Sequence, residues 1–164
     1  MYKRQVHDDV VTKLLMSIEV SLADAEVHQH ASIGSLWPEC YEYNRHIASF
    51  VPDGIIINTS AKRPGIHVIE FARSLTELPE GVEQKENAKR NNYLGTVIFL
   101  RRQFPGREVT FHPFIMSIHT SVQEKVWLTK LQKVGLKRHE AEGVVKGCVR
   151  ECVLAVHKLY NTRQ

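Results

Sequence analysis

Two acids punctuate the stretch "FVPDGIIINTSAKRPGIHVIEFAR", residues Phe50 to Arg73. Asp53 sits in a Pro-Asp-Gly turn at the mouth of the apolar run GIIIN, and Glu70 lies deep inside the run GIHVIEFA. Burying a carboxylate is costly unless water or a cation reaches it. The β-branched runs predict two strands, and the turn chemistry of the link TSAKRPG predicts that they form a hairpin. Side chains on a strand alternate faces, so Ile66, Val68, Glu70 and Ala72 share one side. Asp53, 70 − 53 = 17 positions earlier, stands where the partner strand begins, so the hairpin brings the two acids close. Adjacent carboxylates repel, and a cation between them relieves the repulsion. Mg²⁺ or Mn²⁺ suits oxygen donors in an open, watery site. Such an ion would lower the pKa of a water and stabilise a phosphoryl transition state. The bland alternative stands beside this one: Asp is a common turn residue, and Glu70 could pair with an arginine for structural reasons alone.

The elements that must hold these acids follow from periodicity. Val10, Val11, Leu14, Leu15, Ile18 and Leu22 form a helical stripe, predicting a helix from Asp9 to about Asp24 that Asp8 or Asp9 caps. The polar and aromatic stretch 27–49 reads as loop with one short strand at most. Both apolar runs are apolar on both faces, as in central strands covered by helices. A helix is predicted from about Glu80 to Gln103, ended by Pro105 and Gly106. EVTFHPFIMSI is a third strand, which Pro113 assigns to an edge or a bulge. Ser121 and Glu124 fit a capping box opening a helix that stops at Gly135. A last helix runs from about Arg138 to Tyr160, with Cys148 and Cys152 on its apolar stripe and Gly143 and Gly147 beside it. The order of elements predicts α/β architecture in one domain spanning residues 1–164.

Bulk properties agree. The 164 residues are 43% hydrophobic and 24% charged, a globular composition. No apolar run reaches the ~20 residues of a membrane helix, and MYKRQVHDDV lacks the apolar stretch of a signal peptide. An intracellular location without membrane contact is therefore expected. The formal charge of +4, with cations concentrated in KENAKR, LRRQFPGR and KLQKVGLKR, fits a polyanionic partner as well as it fits an ordinary solvated surface. Three cysteines, an odd number, do not suggest a disulfide framework.

An acid, a second acid on the next strand, and a lysine two residues on is the PD-(D/E)xK nuclease pattern. Asp53 and Glu70 match it. The lysine position holds Ala72, and Arg73 is predicted to point to the other face. Further segments line up in order: RQVHDDVVTKLL upstream, then a helix carrying Lys89 four residues before Tyr93, then a strand of the type V-x-F-x-P-x-I-x-S. In that order the chain, from about His7 to Gly135, resembles the restriction-like endonuclease domain of site-specific non-LTR retrotransposon reverse transcriptases. The resemblance implies a restriction-endonuclease-like core with a mixed central sheet flanked by helices. It also implies a metal-dependent cut in DNA that exposes a 3′ hydroxyl for reverse transcription of the element's RNA. In that family a lysine on the following helix commonly replaces the strand lysine. Lys89 matches it, with Lys85 one turn earlier as the alternative base. His7 and Asp8 match an upstream His-Asp element, although Val6 stands where the family often has a base, and Asn92 replaces a lysine before the tyrosine.

What the resemblance implies is therefore Asp53 and Glu70 as metal ligands and Lys89 as the group that assists the attacking water. Lys85, Arg90, Arg101 and Arg102 are candidate phosphate contacts. The implied partners are DNA, with element RNA as a further candidate, and a reverse transcriptase module in the same or a separate chain; the implied location is the nucleus. No polymerase sequence lies within these residues, so an excised domain or a free-standing derivative is expected. The rival expectation is a catalytically inactive, domesticated copy that binds nucleic acid or protein as a scaffold, which Ala72 favours. Outside this set, His28, His30, Cys40 and His46 match no zinc spacing, and Trp37, Tyr41 and Tyr43 read as packing residues rather than base-stacking ones.

Overall fold

A computed structural model of the chain describes residues 2–60 and 64–161. Helix α1 (Tyr2–Ser21) leads into strand β1 (Ala25–Gln29), three one-turn helices α2 (Ile33–Leu36), α3 (Cys40–Tyr43) and α4 (Arg45–Ala48), and strands β2 (Gly54–Asn58) and β3 (Gly65–Ser74). The long helix α5 (Pro79–Gln103) connects β3 to β4 (Glu108–Ser117), and α6 (Glu124–Val134) and α7 (Arg138–Asn161) close the fold. The four strands form one mixed sheet in the order β1-β2-β3-β4. β1 and β3 are antiparallel to β2, and β4 runs parallel to β3. The predicted pairing of the two apolar runs is therefore present, although residues 61–63 of its turn lie outside the described residues.

Alternation along the strands builds a core on each face. Ile56, Ile69, Phe71, Phe114 and Met116 pack against α1, α6 and α7. Ile55, Ile66, Val68, Val109 and Phe111 pack against α5 and the short helices. Gly54 is required where α1 meets the sheet: a Cβ there would stand 2.5 Å from Leu15 Cδ2. Cys148 and Cys152 are fully buried in the first core, Gly147 faces Lys13 of α1, and nothing lies within 4 Å of a Cβ built on Gly143.

Four local expectations change. α1 begins at Tyr2 rather than Asp9, because Val6 extends its buried stripe upstream. Asp8 and Asp9 thus lie inside the helix and do not cap it. The capping box does not form: α6 starts with no side-chain cap at Gln123, because Ser121 Oγ is engaged by Glu77 and Ser117. Segment 27–49, read as loop with one short strand at most, does carry the end of the short strand β1, but also three helices of four residues each, too short for periodicity to register. Gly135 does end α6, with φ 126°, a left-handed value that favours glycine.

Pro113 sits on an edge strand, as its missing N–H requires. Alternate carbonyls along that edge are each covered by a side-chain donor. Arg101 donates to Val109 O, Arg90 to Phe111 O, Lys130 to Pro113 O and Trp127 Nε1 to Ile115 O. Charged covers of this kind protect an edge against pairing with another chain.

Candidate active site

The two acids meet where β2 ends and β3 continues. Gly54 pairs with Ile69, so the same register sets Asp53 opposite Glu70. Both are 8% exposed. Asp53 is held from three directions: its carbonyl accepts from His30 N–H at 3.2 Å, its N–H donates to Glu70 Oε2 at 3.4 Å, and its Oδ2 accepts from Phe71 N–H at 2.7 Å. The last two bonds carry the β2–β3 pairing past its last backbone pair, and together the three hold both carboxylates in place.

Each acid has a cationic side chain at hand. Lys89 Nζ of α5 lies 2.5 Å from Glu70 Oε1. His7 Nε2 of α1 lies 3.3 Å from Asp53 Oδ2 and 3.1 Å from Phe71 O, while its Nδ1 lies 3.1 Å from Asp8 Oδ1. The hydrogen bond with Asp53 raises His7 to about 9, against the opposing pull of burial, so the ring is an imidazolium at neutral pH. The question posed by a carboxylate inside HVIEFA has its answer in Lys89: a cation from the crossover helix reaches it.

Tyr93 completes the site and was legible in the sequence only as a spacing marker. Its OH donates to Glu70 Oε2 at 3.1 Å. One helical turn after Lys89, it shares that residue's face. Its ring is stacked on Phe111 at 4.9 Å and tilted against Phe50 at 5.4 Å. Burial first, then the Glu70 charge, pushes its phenol above the usual range, which keeps it a donor. Ala72, at the pattern's lysine position, packs with Val82 and Ile115 in a small apolar cluster. Arg73 points to the opposite face, where it donates to Ile118 O.

The other candidates separate. Lys85 is exposed and has no hydrogen bond or ion pair among the described residues. Arg90 and Arg101 cover carbonyls of β4. Arg102 is exposed at the end of α5. His28 lies on β1, His46 on α4, and Cys40 is buried in the second core. Trp37 is buried against Phe104, whereas Tyr41 and Tyr43 are about half exposed. Among the described residues no group of three or more His, Cys, Asp and Glu side chains is arranged to hold a metal ion.

The donor chemistry of Asp53 and Glu70 nonetheless suits a hard cation. Two carboxylates lie on paired positions, and Phe71 O turns toward the same point as Asp53 Oδ2, since one nitrogen of His7 contacts both. Oxygen donors of this type are what Mg²⁺ takes. No protein-family model matches the sequence, and no curated protein is detectably similar to it.

Proposed function

We propose that the chain is a metal-dependent DNA endonuclease with a restriction-endonuclease-like core, of the kind that nicks target DNA for retroelement insertion. The observation that carries this reading is the contact between Lys89 and Glu70 beside Asp53. A lysine from the crossover helix reaches the second acid, while the strand position that the pattern gives to lysine is Ala72. Asp53 and Glu70 would hold Mg²⁺ or Mn²⁺, with Phe71 O as a third oxygen. When bound, the ion supplies charge stabilisation at the phosphoryl oxygens and a more acidic water.

The protein's own groups have separate tasks. Water attacks phosphorus, the P–O3′ bond breaks, and the ends released are a 3′ hydroxyl and a 5′ phosphate. The water loses one proton and the departing oxygen gains one. The Lys89 ammonium orients the water and offsets charge on the phosphate, an electrostatic role for a preorganised cation. Tyr93 and the Asp53 N–H hold Glu70 in position. In the metal-free protein His7 holds Asp53 and the Phe71 carbonyl from the α1 side, and it would yield both oxygens to the ion. Nicking should therefore leave an end that a DNA polymerase extends directly; ends that need phosphatase treatment first would contradict this chemistry.

One observation favours a second reading, an inactive scaffold that binds nucleic acid or protein. Both acids have cationic side chains as partners, so the site is electrostatically satisfied by the protein alone. Metal binding separates the two readings, because only the nuclease requires Asp53 and Glu70 to exchange those partners for an ion.

A further inference from the structure

Across β4 from the acids lies a second charged feature. A cleft of about 340 Å³ opens between α5, the β4 edge and α6, lined by Arg90, His112, Lys125, Thr129, Lys130 and Lys133 among others. Among the described residues no carboxylate lines it. Glu86 pairs with Lys130 and Arg90, while Lys125 and Lys133 are exposed and have no ion-pair partner among the described residues. Along the edge itself, Arg101, Arg90 and Lys130 are anchored on the carbonyls of Val109, Phe111 and Pro113. Alternate residues of a strand repeat at ~6.6 Å, so these three cations form an evenly spaced row, and the α6 lysines make the facing wall.

We propose that this cleft is a track for the phosphodiester backbone of the nucleic acid, on which Lys125 and Lys133 contact phosphates a few positions along the strand from the scissile one. The proposal rests on the nuclease reading and names where its substrate continues. Position supports it: Pro113, whose carbonyl Lys130 holds, is the register partner of Glu70, and Arg90 follows Lys89 on α5. The cleft is therefore about two strand spacings, roughly 10 Å, from the acids. That distance spans about three charges of one strand at ~3.4 Å each. Arg90 and Lys130 are rigidly held and set the floor of the track. Lys125 and Lys133 are free to meet the ligand.

The test is binding of a labelled DNA duplex in EDTA, so that no strand is cut, followed by anisotropy over a range of salt. The double variant Lys125→Gln/Lys133→Gln is compared with the parent and with Lys146→Gln/Arg150→Gln, which removes the same charge from exposed positions of α7. Neither pair makes a side-chain hydrogen bond or ion pair among the described residues, so folding should survive, as an unchanged melting temperature would show. The α6 variant is expected to lose affinity roughly tenfold and to lower the slope of log K against log salt by about two, one per phosphate contact. The α7 variant should match the parent. An α6 variant that binds like the parent, or an equal loss in the α7 variant, overturns the track and leaves the nuclease reading standing. A parent that binds no DNA overturns both. A parent that prefers phosphatidylserine vesicles, with that binding lost in the α6 variant, assigns the cleft to a membrane surface and overturns the track.

Discussion

Lys89 is the residue on which the mechanism turns, and its surroundings allow a sharper expectation than its sequence position did. Lys89→Ala should lower nicking by roughly a hundredfold or more, the usual cost of losing one such preorganised group. It should also lower stability by ~1–2 kcal/mol, because Glu70 keeps two hydrogen bonds but loses its charged partner. Lys85→Ala, which removes an exposed cation with no ion pair among the described residues, should leave stability and nicking near the parent values and weaken DNA binding modestly. Nicking rates and urea midpoints of the two variants decide the matter; a dead Lys85→Ala beside an active Lys89→Ala would reverse the assignment. A second residue-scale effect is independent of the site. His67 and His112 are buried and joined through Thr110 Oγ1, 2.7 Å from each. Burial lowers them to about 4 and about 3. An unfolded histidine takes up its proton near 6.5, so below that pH the unfolded chain binds protons that the folded chain refuses. Their contribution to stability is complete above pH 6.5 and is lost progressively as pH falls from there to about 3. Urea midpoints measured from pH 7.5 to 4.5 should fall, and fall less steeply in His112→Gln; parallel curves for the two proteins would show that the pair does not set the slope.

At the scale of elements, β4 shows how an edge is protected by the helices that flank it. Lys130 is 7% exposed and holds both Glu86 of α5 and Pro113 O, tying α6 to the edge and to the crossover helix. Lys130→Ala leaves Glu86 with Arg90 alone and strips the Pro113 carbonyl of its donor, and should cost ~1–3 kcal/mol, read as a lower urea midpoint at unchanged m; an unchanged midpoint would mean that water replaces the lysine. How far such elements were legible depended on length and chemistry. The runs GIIIN, GIHVIEFA and EVTFHPFIMSI announced β2, β3 and β4 because they are β-branched and buried on both faces. β1 registered only as one short strand allowed within segment 27–49, because AEVHQ is an edge strand with no residue fully buried and so lacks the apolar alternation that marks a strand. The hairpin placed Asp53 near Glu70 from sequence alone. The contact of His7 with Asp53 was not derivable, since it depends on how α1 crosses the sheet, which Gly54 and Leu15 settle only in three dimensions.

For the whole molecule, the sheet separates two cores, and the acids, the two cations and Tyr93 gather at one end of β2 while the basic cleft borders the same end of the structure's open edge. Asp53 and Glu70 come from neighbouring strands and their partners from α1 and α5, so the site exists only in the folded chain. Mg²⁺ or Mn²⁺ should accordingly raise the melting temperature by binding the native state alone, and Asp53→Asn should abolish the rise; the same rise in the variant would place the ion elsewhere. The measurement that bears most directly on the central claim is nicking of a supercoiled plasmid by the purified chain in Mg²⁺ or Mn²⁺, with Asp53→Ala and an EDTA control alongside. The account predicts relaxed circles from the parent with either metal and none from Asp53→Ala or in EDTA. Equal nicking by the parent and Asp53→Ala, or none by a folded parent with either metal, would contradict it.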